Sequence, residues 1–171
     1  MNPFGEKEIR RAFVNCSKGE ASRINLPRNL PELPWADLDF LGWRDPGAPD
    51  RGYVVVERRG ELVGVTLRVA QEARRSFTKS TVCSICVTPH SGSGVALFVA
   101  PRVGAAGRQG NTVGTYICTD LACSLYMRGM RQTEAGVRFE ETLTLEERIV
   151  RTAVNLEGFL DKVFDGDLRS A

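Results

Sequence analysis

The sequence predicts an α+β fold in which a small sheet is flanked by N- and C-terminal helices. Three observations predict it. Apolar residues recur at helical spacing near both ends of the chain. Between them lie short runs of β-branched residues, bounded by glycine and proline. Four of the five cysteines fall in two clusters, Cys83-Ser84-Ile85-Cys86 and Cys118-Thr119-Asp120-Leu121-Ala122-Cys123, with 31 residues between them.

In chain order, Ile9, Ala12, Phe13 and Cys16 make a helical stripe over Glu6–Cys16. Ser17-Lys18-Gly19-Glu20 fits a capping box, with Ser17 as N-cap, and predicts a second helix that Pro27 ends. Residues 27–37 hold Pro27, Pro31 and Pro34 and are expected to run extended over the core. Trp35, Phe40, Leu41 and Trp43 are too many large apolar groups for a free linker and read as core anchors. Asp45-Pro46-Gly47-Ala48-Pro49-Asp50 reads as a loop by composition. Tyr53–Arg58 and Glu61–Arg68 read as two strands turning at Arg59-Gly60, and the valines at 54–56 suggest burial on both faces. The basic, polar stretch 71–80 is an expected exposed connection into the first cysteine cluster.

Beyond Cys86, Thr88–Gly94 is a glycine-rich turn and Val95–Ala100 a strand. Pro101–Asn111 is expected to be a long basic loop, Val113–Cys118 the returning strand, and Asp120–Gly129 a helix with Thr119 near its N-cap. Knuckle, strand, loop, strand, helix is the layout of a treble-clef zinc finger. Residues 129–142 are expected to be a loop. Thr144-Leu145-Glu146-Glu147 is a second capping box. It opens a final helix whose stripe is Leu145, Ile149, Ala153, Leu156, Leu160 and Val163, with a frayed tail from Asp165. The expected organisation is one domain over 1–171: helices plus a β-hairpin over 6–80, the finger over 81–132 and the C-terminal helix over 143–164.

A C-x2-C pair bends round one metal ion, and a second pair on a returning strand and helix completes a tetrahedron. Cys83, Cys86, Cys118 and Cys123 therefore read as ligands of one structural Zn²⁺, with no position left for an activated water. His90, four residues after Cys86, is the alternative ligand; a turn hydrogen bond is the other reading of it. Cys16 reads as a small buried hydrophobe, with a reactive thiol as the alternative.

The 171 residues allow one domain with a sizeable core, and 42% apolar with 26% charged residues suits a soluble globular protein. No apolar run approaches a membrane span, and the first residues lack a secretory pattern, so a cytoplasmic protein is expected. Net charge is +2, unevenly spread: −1 over residues 1–50, +7 over 51–132 and −4 over 133–171. Four zinc-bound thiolates would still leave the middle segment at +5. That asymmetry suits an acidic or nucleic-acid partner, or ordinary surface solubility.

Catalysis finds little support. His90 is the only histidine, and no G-x-S-x-G, P-loop or G-x-G-x-x-G context is present. The glycines of 104–110 lack the lysine and helix of a phosphate loop. Binding is the better class: Arg102, Arg108, Arg128 and Arg131 interleave with Tyr116 and Tyr126 around the finger, although both tyrosines also suit half-buried packing.

These residues carry a resemblance. Phe40-Leu41-Gly42-Trp43, the C-x2-C knuckle, Val95-Ala96-Leu97-Phe98, Tyr116-Ile117-Cys118-Thr119-Asp120 with Cys123, and Phe159-Leu160-Asp161-Lys162-Val163 occur in the order seen in elongation factor G-binding proteins of the fusidic-acid-resistance (FusB) type. The chain resembles their C-terminal domain over about residues 6–163. The resemblance implies a non-enzymatic zinc protein that binds elongation factor G and helps it leave the ribosome, with no small-molecule substrate. It places the metal ligands at Cys83, Cys86, Cys118 and Cys123, and aromatic contacts with the factor at Tyr116 and Phe159, the latter expected at an exposed or rim position. Arg108 and Arg128 are the basic residues expected to accompany them. The chain departs from the family pattern at Val82, where an aromatic is usual, at Val113, where a lysine is usual, and in having no room for a full N-terminal helical bundle. The rival readings are a zinc-finger module that binds RNA or the ribosome and a purely structural interaction domain with another protein partner.

Overall fold

In the computed structural model, which describes residues 1–70, 81–133 and 141–165, strands and helices follow one another through a single layered arrangement. The connection expected at 71–80, residues 134–140 of the expected loop, and the tail after Asp165 lie outside the described residues. The elements are α1 (Glu6–Ala12), α2 (Lys18–Ser22), β1 (Leu41–Asp45), β2 (Ala48–Arg58), β3 (Glu61–Val69), β4 (Thr81–Val82), β5 (Pro89–His90), β6 (Val95–Pro101), α3 (Gly104–Arg108), β7 (Thr112–Cys118), α4 (Cys123–Met127) and α5 (Leu145–Phe164). A five-stranded antiparallel sheet runs in the order β1-β2-β3-β6-β7, and β4 and β5 form a separate small ladder.

The two strands expected at 53–68 are present as β2 and β3. Their turn puts Arg59 at φ 51° and Gly60 at φ 83°, the left-handed pair of a tight hairpin. The valine run has a two-sided role, as its composition suggests. Val54 joins the core that holds the cysteines and α5, while Val55 joins a second core under the N-terminal helices. In that second core Trp43 and Tyr53 lie 5.1 Å apart, with Phe13 edge-on to both.

Several boundaries differ from expectation. The first helix stops at Ala12 because Phe13 turns extended and bridges Gly64; Val14 then donates to the Gly64 carbonyl. Cys16 is therefore outside any helix and half-buried. The capping box at Ser17 forms, yet α2 ends at Ser22, well before Pro27. Residues 27–37 are not extended: two 3-10 turns, Leu30–Glu32 and Trp35–Asp37, tuck Leu30 and Trp35 inward. Leu41–Asp45 is a strand, so the expected loop at 45–50 shrinks to the turn between β1 and β2. A short helix, α3, interrupts the expected loop 101–111.

The final helix keeps its expected bounds, with Thr144 capped by Glu147. Its buried face agrees with the expected stripe at Leu156, Leu160 and Val163 and departs from it elsewhere: Thr152 and Phe159 also point inward, while Leu145 and Ala153 face out. Thr152 replaces Ala153 at the core because its hydroxyl finds a partner there, the Met127 sulfur at 3.1 Å.

β3 meets β6 over only two residue pairs, Arg68 with Val99 and Val69 with Phe98, so the two halves of the sheet share a narrow seam. Leu121 braces the halves from one side. A Cβ at Gly42 would lie 2.3 Å from the Leu121 carbonyl oxygen, and one at Gly52 would lie 2.7 Å from Leu121 Cδ1. The two glycines form a notch in β1 and β2 that receives Leu121. Gly42→Ala is predicted to destabilise the fold by about 1–3 kcal/mol through overpacking and to speed zinc release to a chelator. Gly19→Ala, with open space at its Cβ, is predicted to be neutral or slightly stabilising. Thermal unfolding and chelator-release rates of the two variants check this, and equal behaviour would contradict the notch.

Candidate metal centre

Two turns bring the sulfurs together. In the first, the amides of Ile85 and Cys86 both donate to Cys83 Sγ at 3.4 Å. Val87 takes φ 60°, and its N–H closes the turn on the Cys83 carbonyl at 3.0 Å. The β4–β5 ladder then carries the chain back, pairing Thr81 with His90. In the second, Cys118 ends β7, Leu121 takes φ 61°, and its N–H bonds the Cys118 carbonyl at 2.8 Å. The Asp120 carboxylate accepts from the Ala122 N–H at 3.1 Å, and Cys123 opens α4. The helix expected from Asp120 thus starts three residues late, because the turn that aims Cys118 and Cys123 together needs a left-handed residue. Gly129 ends the helix as expected, at φ 70°.

The four sulfurs lie within 4.8 Å of one another; Cys83 and Cys123 are 3.7 Å apart and Cys86 and Cys118 3.5 Å. A tetrahedron of Zn–S bonds about 2.3 Å long has edges of about 3.8 Å, so the cluster fits zinc as it stands. All four cysteines are fully buried. Burial pushes the Cys123 thiol well up, while hydrogen bonds from Cys118 and Cys123 pull Cys83 down. One shared dication lets all four ionise and removes that conflict. Cys83, Cys86, Cys118 and Cys123 are positioned to bind one zinc ion, and the set is complete without a fifth group.

His90 lies outside that four-sulfur set. It is buried beside the cluster, with Nε2 3.3 Å from Cys118 Sγ. Burial holds it below its usual pKa. Tyr126 stands edge-on to the ring at 4.7 Å, and its hydroxyl donates to Asp120 at 2.8 Å. The α5 helix clamps the first turn and the end of α4. Asn155 donates to the Ile85 carbonyl at 3.0 Å, Arg151 to that of Cys86 at 3.3 Å, and Arg148 to that of Met127 at 2.8 Å. Sequence reasoning missed these three and the notch for Leu121; the paired glycines at 42 and 52 were the available signal.

The expected partner-facing residues divide. Tyr116 is half-buried on β7, at one edge of the sheet, and Arg108 is exposed at the end of α3. Phe159 corrects its expectation: it is 6% exposed, inside the core, because the buried face of α5 runs through it. Arg128 is also not free. Its Nη2 meets Asp39 at 2.9 Å as half of a two-pronged ion pair, with the side chain 12% exposed. Arg102 donates to the Lys162 carbonyl at 2.6 Å, and Arg131 lies 3.2 Å from Asp120. Among the described residues, no helix is long and apolar enough to cross a membrane.

The FBP C-terminal treble-clef zinc-finger family matches the chain over residues 8–163. Neither curated proteins nor solved structures give a match.

Cys83→Ser is predicted to abolish stoichiometric zinc and unfold the knuckles, since structural sites of this kind contribute up to about 10 kcal/mol or more. His90→Ala is predicted to keep one zinc per chain but to bind it about 10- to 100-fold more weakly. Metal analysis and cobalt charge-transfer spectra check both. Full zinc content in Cys83→Ser would contradict the ligand assignment.

Proposed function

The chain belongs to the FBP C-terminal treble-clef zinc-finger family, and on that premise we propose that it binds elongation factor G and promotes the factor's release from the ribosome. The observation that carries this reading is the family match over residues 8–163, which takes in the cysteine framework together with Tyr116 and Phe159. The donor set supports a binding role over catalysis, because four sulfurs fill four positions around the metal.

In this reading Tyr116 and Arg108 touch the factor. Phe159 and Arg128 hold the surface in place, the first from inside the core against which Tyr116 packs, the second through Asp39. The action is mechanical. A rigid surface that favours one conformation of the factor shifts its population toward that conformation, and so off the ribosome. Rescue of translation from a fusidic acid block follows if the drug-trapped conformation is the disfavoured one. A second reading, an RNA- or ribosome-binding module, draws on the +7 charge of residues 51–132 and the exposed Arg108.

Calorimetry of the zinc-loaded protein with elongation factor G from the same organism tests the proposal. Saturable binding is predicted. Tyr116→Ala should cost about 2 kcal/mol, roughly 30-fold in affinity. Phe159→Ala should instead lower stability by about 3–5 kcal/mol. Absence of binding heat at several temperatures and micromolar concentrations would overturn the reading. A loss of affinity by about 10-fold or more over a few-fold rise in salt would favour the RNA reading.

A further inference from the structure

On the face of the sheet covered by the N-terminal helices, β2 and β3 set Arg51 directly opposite Arg68. Tyr53 and Thr66 are the next pair on that face, and Arg23, at the end of α2, approaches from the helix layer. The three arginines line a depression of about 350 Å³ that also exposes part of Cys16. Like charges directly opposed across an antiparallel pair weaken a sheet. Here no carboxylate among the described residues pairs with them within 4.0 Å.

Two carboxylates share the depression, and both are already engaged by neutral donors. Asp45 accepts from Asn25 at 2.9 Å, from the Tyr53 hydroxyl at 2.7 Å and from the Gly47 amide at 2.8 Å. Glu20 accepts from the amide and hydroxyl of Ser17 at 2.9 and 2.7 Å. Among the described residues, the ion pairs all involve other side chains, so Arg23, Arg51 and Arg68 have no carboxylate within 4.0 Å. Glu20 is held below the usual carboxylate range, chiefly by its bonds to Ser17 and further by the charges of Arg23 and Arg51.

We propose that this depression binds a phosphate group, held by Arg23, Arg51 and Arg68. Guanidiniums from three separate elements suit a tetrahedral dianion better than a carboxylate. The dianion offers more acceptor oxygens. The same group is presented by free phosphate compounds and by an RNA backbone. The site is separate from the surface assigned to elongation factor G, so either can fail alone.

Cys16 gives the assay. The other four cysteines are buried ligands, so in the zinc-loaded full chain a small uncharged disulfide reagent reports on Cys16 alone. At low ionic strength, inorganic phosphate at ten times its Kd should slow modification of Cys16 about tenfold. Arg51→Gln and Arg68→Gln should lose that protection, while Arg28→Gln keeps it. Protection by short single-stranded RNA at lower phosphate equivalents would identify a backbone site. Protection by inorganic phosphate without RNA would identify a small phosphorylated ligand. Equal slowing by chloride at matched ionic strength, or protection unchanged in both variants, would overturn the proposal. Arg68→Gln should also be at least as stable as the parent in phosphate-free buffer, and a loss of stability there would contradict the repulsive pair on which the site rests.

Discussion

Four sulfurs can share one zinc ion only if two turns that are far apart in the chain are held face to face. Each turn needs a left-handed residue, Val87 in one and Leu121 in the other, and neither is a glycine. Such backbone is uncommon for a bulky or β-branched side chain and persists only where the surroundings enforce it. Here the surroundings are explicit. Leu121 is seated in the notch left by Gly42 and Gly52, and the carbonyls of the first turn are held by Asn155 and Arg151 of α5. The metal, the sheet and the last helix therefore stabilise one another, and none of the three is well fixed alone.

That mutual dependence explains where function sits. A closed, buried tetrahedron has no chemistry of its own to offer, so its effect reaches the surface through what it positions. It fixes the returning strand β7, on which Tyr116 is half-buried, and the helix α4, whose Arg128 closes onto Asp39 just before β1. His90 and Tyr126 finish the assembly from the side. The first bonds a zinc-binding sulfur and the second is tied to Asp120 in the same turn. The arginines around Cys16 belong to a different part of the molecule, on the opposite face of the sheet, where no carboxylate among the described residues pairs with them within 4.0 Å.

Much of this was legible in the sequence because it rests on local rules. The cysteine spacing named the ligands, two capping boxes placed the starts of α2 and α5, and Arg59-Gly60 marked the hairpin turn. What was not legible depends on contacts between distant residues. The first helix ends early because Phe13 prefers the sheet and its aromatic neighbours to another helical turn. Thr152 shares the buried face of α5 with Leu156, Phe159, Leu160 and Val163 because its hydroxyl meets the Met127 sulfur, although hydrophobicity alone ranks it below Ala153. Phe159 looked peripheral for the same reason and is in the core. Arg128 looked available because its partner, Asp39, is 89 residues away.

The central claim is that zinc couples the cysteine turns to the sheet and α5, and amide hydrogen exchange with and without a chelator tests it most directly. The account predicts that zinc removal strips protection from Ile85, Cys86, Leu121 and the β6–β7 pairs and weakens it along α5, while the β2–β3 pairs around Val54 and Val65 stay protected longest. Unchanged protection at the cysteine turns, or simultaneous loss across the whole sheet, would contradict it.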